Sequence, residues 1–206
     1  MHLAFADSGI NRKTFFKKQN LSGRKVYSAE LVHGVRVHRI SSGDENIILA
    51  QTDALITGEK NVILTVTVAD CFPVYFFDPI KLIIGIAHCG WRGIVGNLAS
   101  KTIGAMHSKP SDVLVGIGPG IQPCHFEVQA DVLPRFQEYP EEILHRDNKI
   151  FVDLPAIISK QLTDIGVKKI ETSGECTCHN HQKYFSFRRD KPKAIEAMVA
   201  YIGLLP

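Results

Sequence analysis

Two runs rich in β-branched and aliphatic residues, Val62-Ile-Leu-Thr-Val-Thr-Val68 and Leu82-Ile-Ile-Gly-Ile86, set the frame of this chain. Short apolar runs of this kind read as buried strands. Each delivers the chain into a segment of different character: Ala69-Asp70-Cys71-Phe72-Pro73 after the first, Ala87-His88-Cys89-Gly90-Trp91-Arg92-Gly93 after the second. A thiol and an imidazole therefore stand at the ends of two neighbouring strands. The reverse turn expected at Phe77-Asp78-Pro79-Ile80-Lys81 joins them as an antiparallel pair, because a parallel neighbour needs a crossover of about a dozen residues or more.

The remaining pattern mixes strands and helices without strict βαβ alternation, which predicts an α+β fold. Val26–Val37 reads as a strand interrupted at Gly34; Ile47–Leu49 and Ala54–Ile56 flank a polar Gln51-Thr52-Asp53 step before a turn at Gly58–Asn61, and Asp112–Ile117 and Lys168–Thr172 read as further strands. Residues 10–19 read as a short helix. Helical spacing of Ile94, Leu98 and Ile103 predicts a helix over Ile94–Met106, and Asp131–Phe136 reads as helical. Leu154–Ile165 is amphipathic and stopped by Gly166, and Lys191–Ile202 reads as a closing helix. No repeat, low-complexity tract or linker divides the chain, so residues 1–206 are read as one domain.

A formal charge of +3 gives no argument for nucleic acid or an anionic membrane surface as partner. No apolar run reaches the roughly 18 residues of a membrane span. The N-terminus lacks the basic start and long apolar stretch of a secretory signal, which makes the cytoplasm the expected location. The five cysteines are an odd number in a chain long enough to build its own core. They read as ligands, nucleophiles or core residues rather than a disulfide framework.

With His33, in Leu31-Val32-His33-Gly34-Val35, Cys71 and His88 form a set of soft and borderline ligands suited to a transition metal. Cys71 and His88 lie 17 positions apart, too wide for a local metal knuckle. Catalytic metal sites gather ligands from separate strands and leave one position open for water. A Cys71–His88 nucleophile and base pair, with Asp70 orienting the imidazole, fits the same residues, and so does plain packing at strand ends. The residues alone leave these three readings open. Gly90 and Gly93 flank Trp91 and Arg92 and allow close backbone approach to a ligand; with a helix beginning near Ile94, Arg92 and the free N–H groups would make an anion site.

A second cluster, Cys176-Thr-Cys178-His179-Asn-His181, is too cramped for tetrahedral closure by one segment. Arg188 and Arg189 follow it and take opposite faces if the stretch is a strand, one of them facing an anionic ligand. The turn-rich segment from Gly116 to Glu127 shapes a pocket wall, with Cys89 and Cys124 as structural fill.

Taken in order, Leu31-Val-His33-Gly34-Val35, Thr52-Asp53-Ala-Leu-Ile-Thr57, Ala69-Asp70-Cys71-Phe-Pro73, Ala87-His88-Cys-Gly90-Trp91-Arg92-Gly93, Gly118-Pro119 through Cys124-His-Phe-Glu127-Val128, and Cys176-Thr-Cys178 through Phe185-Ser-Phe-Arg188-Arg189-Asp190 resemble the motifs of the YfiH-like family, also called the laccase-domain or multicopper polyphenol oxidoreductase family. The resemblance implies an α+β fold of layered β-sheets flanked by helices. It implies zinc at the positions matching His33, Cys71 and His88, copper having also been proposed for the family. It implies purine nucleoside phosphorolysis, in which adenosine or inosine and phosphate give free base and ribose 1-phosphate, accompanied by adenosine deamination and methylthioadenosine phosphorolysis; polyphenol oxidation is the older label. The expected partners are purine nucleosides and phosphate, with no oligomeric state specified. On that reading Asp70 carries a proton, Arg92 and one of Arg188 or Arg189 contact phosphate, and Trp91 or Phe126 stacks on the base. The Thr-Arg-x-Gly-Gly stretch with which the family usually begins would precede Met1, so its phosphate-binding arginine is expected to be missing. Three rival activities follow from the same residues: a copper-dependent polyphenol oxidase, a Cys71–His88 hydrolase, and a non-catalytic metal-binding protein.

Overall fold

The computed structural model describes residues 2–4, 23–41, 43–44, 47–191 and 197–204. Its strands are β1 (His2–Ala4), β2 (Lys25–Ala29), β3 (Val37–Arg39), β4 (Ile48–Leu49), β5 (Ala54–Thr57), β6 (Val62–Val68), β7 (Phe72–Asp78), β8 (Ile83–Cys89), β9 (Leu114–Ile117), β10 (Glu127–Val128), β11 (Ile143–Arg146), β12 (Lys149–Val152), β13 (Lys169–Thr172) and β14 (Met198–Gly203). The helices are α1 (Trp91–Val95), α2 (Leu98–Met106), α3 (Leu154–Asp164) and α4 (Phe187–Asp190). One sheet has the order β1-β14-β6-β2-β4, a second β13-β9-β7-β8-β5-β3, and a small third β10-β12-β11. The α+β reading of layered sheets and helices holds.

Side-chain alternation builds two cores on the six-stranded sheet. Ala54 and Ile56 of β5, Phe72, Val74 and Phe76 of β7, and Ala87 and Cys89 of β8 face α2 and α3, where Leu98, Ile103, Ile157 and Leu162 meet them. Leu55, Tyr75, Ile84 and Ile86 point the other way, onto Tyr27, Leu64, Val66 and Val68 of the five-stranded sheet. Each such buried aliphatic or aromatic side chain stabilises the fold by about 1.5–3 kcal/mol relative to exposure. The same alternation, continued past the strand ends, sets Asp53, Cys71 and His88 on the side of the six-stranded sheet that faces the other sheet.

Several expectations are corrected. The strand Val62–Val68 does not pair with the strand carrying His88. It lies in the other sheet between β14 and β2, and β8 pairs antiparallel with β7, Pro73 opposite His88, and with β5 on its other side. Residues 69–71 carry the chain from one sheet to the other. The interrupted strand from Val26 to Val37 is two strands in different sheets, β2 and β3, with His33 on the loop between them. The helix expected over Ile94–Met106 is broken at Gly96-Asn97, where Asn97 takes φ 60°. The chain reaches Gly203 as strand β14, hydrogen-bonded to β6, and not as a helix, because the long β6 offers an edge for it to pair. Asp131–Phe136 contains only a 3₁₀ turn, Leu133–Phe136. The helix expected at residues 10–19 lies outside the described residues. Helix α3 is found where expected: Asp153 caps it by accepting from Ala156 N at 3.0 Å, and Gly166 ends it at φ +99°.

Candidate metal centre

The centre begins with a carboxylate to which the sequence reading gave no role. Asp53 precedes β5 and is fully buried. Its Oδ1 accepts from His33 N at 2.9 Å, and its Oδ2 accepts from Gly34 N at 2.8 Å. Oδ1 also lies 3.1 Å from His88 Nδ1. One buried group thus clamps the His33 loop and fixes the ring of His88, leaving Nε2 of that ring as the donor toward the centre. In the sequence Asp53 stands only as part of the Thr52–Thr57 motif, an acid directly before the apolar Ala54-Leu55-Ile56.

His33 sits at φ 58° and Asp70, beside Cys71, at φ 80°. Non-glycine residues in this region store of order 1–3 kcal/mol of strain each, and strain of this kind concentrates at functional sites. The two turns bring their side chains together. Ligand atoms of His33, Cys71 and His88 all lie within 4.8 Å of one another, and the two imidazole rings meet edge to face at 4.8 Å. Glycine at position 90 leaves room for this approach: a Cβ there would lie 3.0 Å from both Cys71 Sγ and His33 Cδ2 and press on both. Gly96 serves the same purpose from α1, since its Cβ would come within 2.4 Å of Val35 on the His33 loop.

Burial by itself raises the Cys71 thiol, but hydrogen bonds and charge from His33 and His88 outweigh it and bring the thiol down to about 7. Burial depresses His88, yet Asp53 and Cys71 more than compensate and lift it to about 9. A thiolate next to an imidazolium is the resting tendency of this pair. One thiolate and two imidazoles within bonding reach of a common point, with a carboxylate behind one imidazole, fit a borderline transition metal such as zinc or copper.

The other expected residues take different places. Both carboxylate oxygens of Asp70 are engaged: Oδ1 accepts from Thr177 Oγ1 at 2.6 Å and Oδ2 from Arg188 N at 2.7 Å. Asp70 thereby ties the loop before β7 to the segments carrying Thr177 and Arg188. Arg188 and Arg189 stand on the short helix α4, not on a strand. Arg189 is spent internally, paired with Asp190 and donating to the carbonyls of Thr177, Cys178 and Tyr184. Arg188 donates to the carbonyls of His125 and Glu127 and lies over Phe126, its side chain otherwise exposed. Phe126 is buried against Phe136 and has no free face for a base. Arg92 is exposed, with its guanidinium 4.4 Å above the Trp91 ring, and both line a cleft of about 420 Å³ with Asp131 and Arg135. Helix α1 starts at Trp91 and has five residues, too short for the N-terminal anion site expected there. Cys89 is fully buried core, its thiol pushed up by burial.

Residues 7–204 match the family described as multi-copper polyphenol oxidoreductase laccase. The chain belongs to this family. Among its relatives, "Purine nucleoside phosphorylase YlmD" of Bacillus subtilis is 29% identical over 99% of this chain and 80% of its own. A "Purine nucleoside phosphorylase" of Deinococcus radiodurans is 34% identical over 84% of this chain and 68% of its own. The crystal structure of YlmD from Geobacillus stearothermophilus superposes with a TM-score of 0.87 at 29% identity, over 95% of this chain and 79% of that one. The laccase-like family accords with a metal centre. No helix among the described residues is long and apolar enough to cross a membrane.

Proposed function

We propose that this protein is a metal-dependent purine nucleoside phosphorylase, converting adenosine or inosine and phosphate to free base and ribose 1-phosphate. Adenosine deamination and methylthioadenosine phosphorolysis are its side activities. The observation that carries the proposal is the convergence of His33, Cys71 and His88 around buried Asp53 in a chain whose relatives are named purine nucleoside phosphorylases. His33, Cys71 and His88 would hold the ion, zinc before copper. Bound there, it would supply Lewis acidity at an open coordination position.

The chain's own groups supply the rest. Asp53 keeps His88 Nδ1 occupied so that the ring presents one fixed nitrogen, and Gly90 keeps the wall beside Cys71 flat. A phosphate oxygen forms a bond to ribose C1′ as the bond from C1′ to the purine nitrogen breaks, and the departing purine takes up a proton. Arg92, two residues after Gly90 and with its charge exposed, is the first candidate to hold phosphate; Arg188 is the second, and Arg189, whose donors already go to internal carbonyls and Asp190, is the third. Trp91, half-buried under Arg92, remains the candidate to stack on the base.

The test is direct. Purified protein is analysed for bound metal and assayed with adenosine and inosine, with and without phosphate, by chromatography of the products. Phosphate-dependent release of adenine or hypoxanthine, lost in His88→Ala together with the metal, is the expected result. Metal-free protein that forms neither free base nor deaminated product sinks the proposal. Oxygen uptake with phenols by a copper-loaded protein would replace it with the oxidase reading.

A further inference from the structure

Away from the His33 centre, a second set of soft donors comes together from two segments 51 residues apart. Cys124 Sγ lies 3.1 Å from His125 Nδ1, and Cys176 Sγ lies 3.5 Å from the same nitrogen. All three ligand atoms fall within 4.8 Å of one another. Four tetrahedral ligands at typical zinc–sulfur and zinc–nitrogen bond lengths stand roughly 3.3–3.8 Å apart, so these separations are already close to those of a filled site. Exposed His179 is not one of the three, but its ring meets that of His125 edge to face at 5.2 Å, so it is the histidine that would turn in to supply a fourth donor.

The backbone around this cluster is pinned rather than loose. Gly120 and Cys176 form a parallel bridge, with Gly120 N donating to Glu175 O and Thr177 N to Gly120 O. Arg188 holds the carbonyls of His125 and Glu127, and Arg146 donates to that of Cys124. A cleft of about 740 Å³ lined by Gln122, Cys124, Glu175, Cys176, His179 and His181 opens onto the donors, giving an ion a way in. Cys176 is buried, while Cys124 and His125 are half-buried at the cleft.

We infer that Cys124, His125 and Cys176, closed by His179, form a second metal site for a thiolate-preferring d¹⁰ cation of the zinc class, separate from the His33–Cys71–His88 centre. Binding exchanges the two thiol protons for two metal–sulfur bonds, without oxidation or reduction. The inference does not depend on the proposed phosphorolysis.

Protein stripped by chelator under reducing conditions is titrated with Zn²⁺ alone, and bound metal is counted after equilibrium dialysis. The wild-type protein is expected to take up about two equivalents, and His88→Ala and Cys176→Ser about one each. The doubly substituted protein is expected to take up none. Co²⁺ in place of Zn²⁺ is expected to give thiolate charge-transfer absorbance in His88→Ala, lost when Cys124→Ser is added. Cys124 is half-buried, so its substitution guards against a folding defect in Cys176→Ser, and the wild-type count needs no variant. A wild-type protein that binds one equivalent, all of it lost in His88→Ala, overturns the inference. So does recovery of Cys124 and Cys176 as a disulfide in protein that binds no second ion under reduction.

Discussion

At the His33–Cys71–His88 centre the thiol lies near 7 and the imidazole of His88 near 9, whereas in the second cluster the thiol of Cys124 is pushed up to about 11 and His125 is lowered. Burial opposes charge at all four groups. What differs is the company. Cys71 faces two imidazoles, and His88 has Asp53 behind it. Cys124 faces a second thiol, Cys176, and His125 faces His179 and Arg146. The same donor types are poised as an ion pair in one place and as neutral groups in the other. The lesson is that the neighbours of each donor decide how ready such a site is before an ion arrives: two imidazoles for the thiol and a carboxylate behind one imidazole in the first, a second thiol and nearby cations in the other.

The contrast can be broken at several points. The largest effect concerns the thiols themselves. With one at about 7 and the other at about 11, the metal-free protein near pH 7 should hold Cys71 about half as thiolate and Cys124 almost wholly protonated, a ratio of order 10⁴. Thiolate absorbance followed during an alkaline titration should show a step near neutrality that disappears in Cys71→Ser. A neutral step that survives in Cys71→Ser and vanishes in Cys124→Ser would invert the comparison.

Asp53→Ala comes next. It leaves the buried His88 unpaired and strands the N–H groups of His33 and Gly34, and should cost about 3–5 kcal/mol in denaturant unfolding along with metal at the first centre. Metal bound at Cys124 and Cys176 should be spared. Equal loss at both sites would show that Asp53 supports the fold at large rather than the one centre.

Gly90→Ala should be smaller in stability and still clear in binding. Its Cβ would press on Cys71 and His33, so zinc affinity measured by competition with a chromophoric chelator should fall about 10–100-fold at the first centre alone. Unchanged affinity would mean that the two ligands have room to retreat.

The smallest effect expected is that of Thr177→Val. Thr177 lies between Cys176 and Cys178 and donates to Asp70, the neighbour of Cys71, so it is the strut shared by the two regions. Removing one bond to a buried carboxylate should lower stability by about 1–3 kcal/mol by thermal or urea unfolding, with both sites still able to bind zinc. A loss of one site without the other would assign Thr177 to that site.

Much of this was legible in the residues. The β-branched runs, the α+β class, the amphipathic α3 with its Gly166 stop, and the trio His33, Cys71 and His88 are all readable from local pattern or motif. Asp53 was not, because nothing near it in sequence shows what it pairs with; its partners lie 19–35 positions away. Among the described residues, the donors of the run from Cys176 to His181 do not gather into a group of their own. Cys176 turns instead to Cys124 and His125, brought near by the bridge at Gly120.

By itself, then, the sequence determined which segments extend, which coil, and which side chains offer metal-binding chemistry, since β-branching, period and donor type are local properties. Only the tertiary structure decided that β6 joins the other sheet, that Met198–Gly203 extends along it, and that Arg189 is tied up internally while Arg92 stays exposed. Strand pairing and hydrogen-bond satisfaction are settled by whatever edge, carbonyl or carboxylate the folded chain brings alongside, and that partner is distant in sequence.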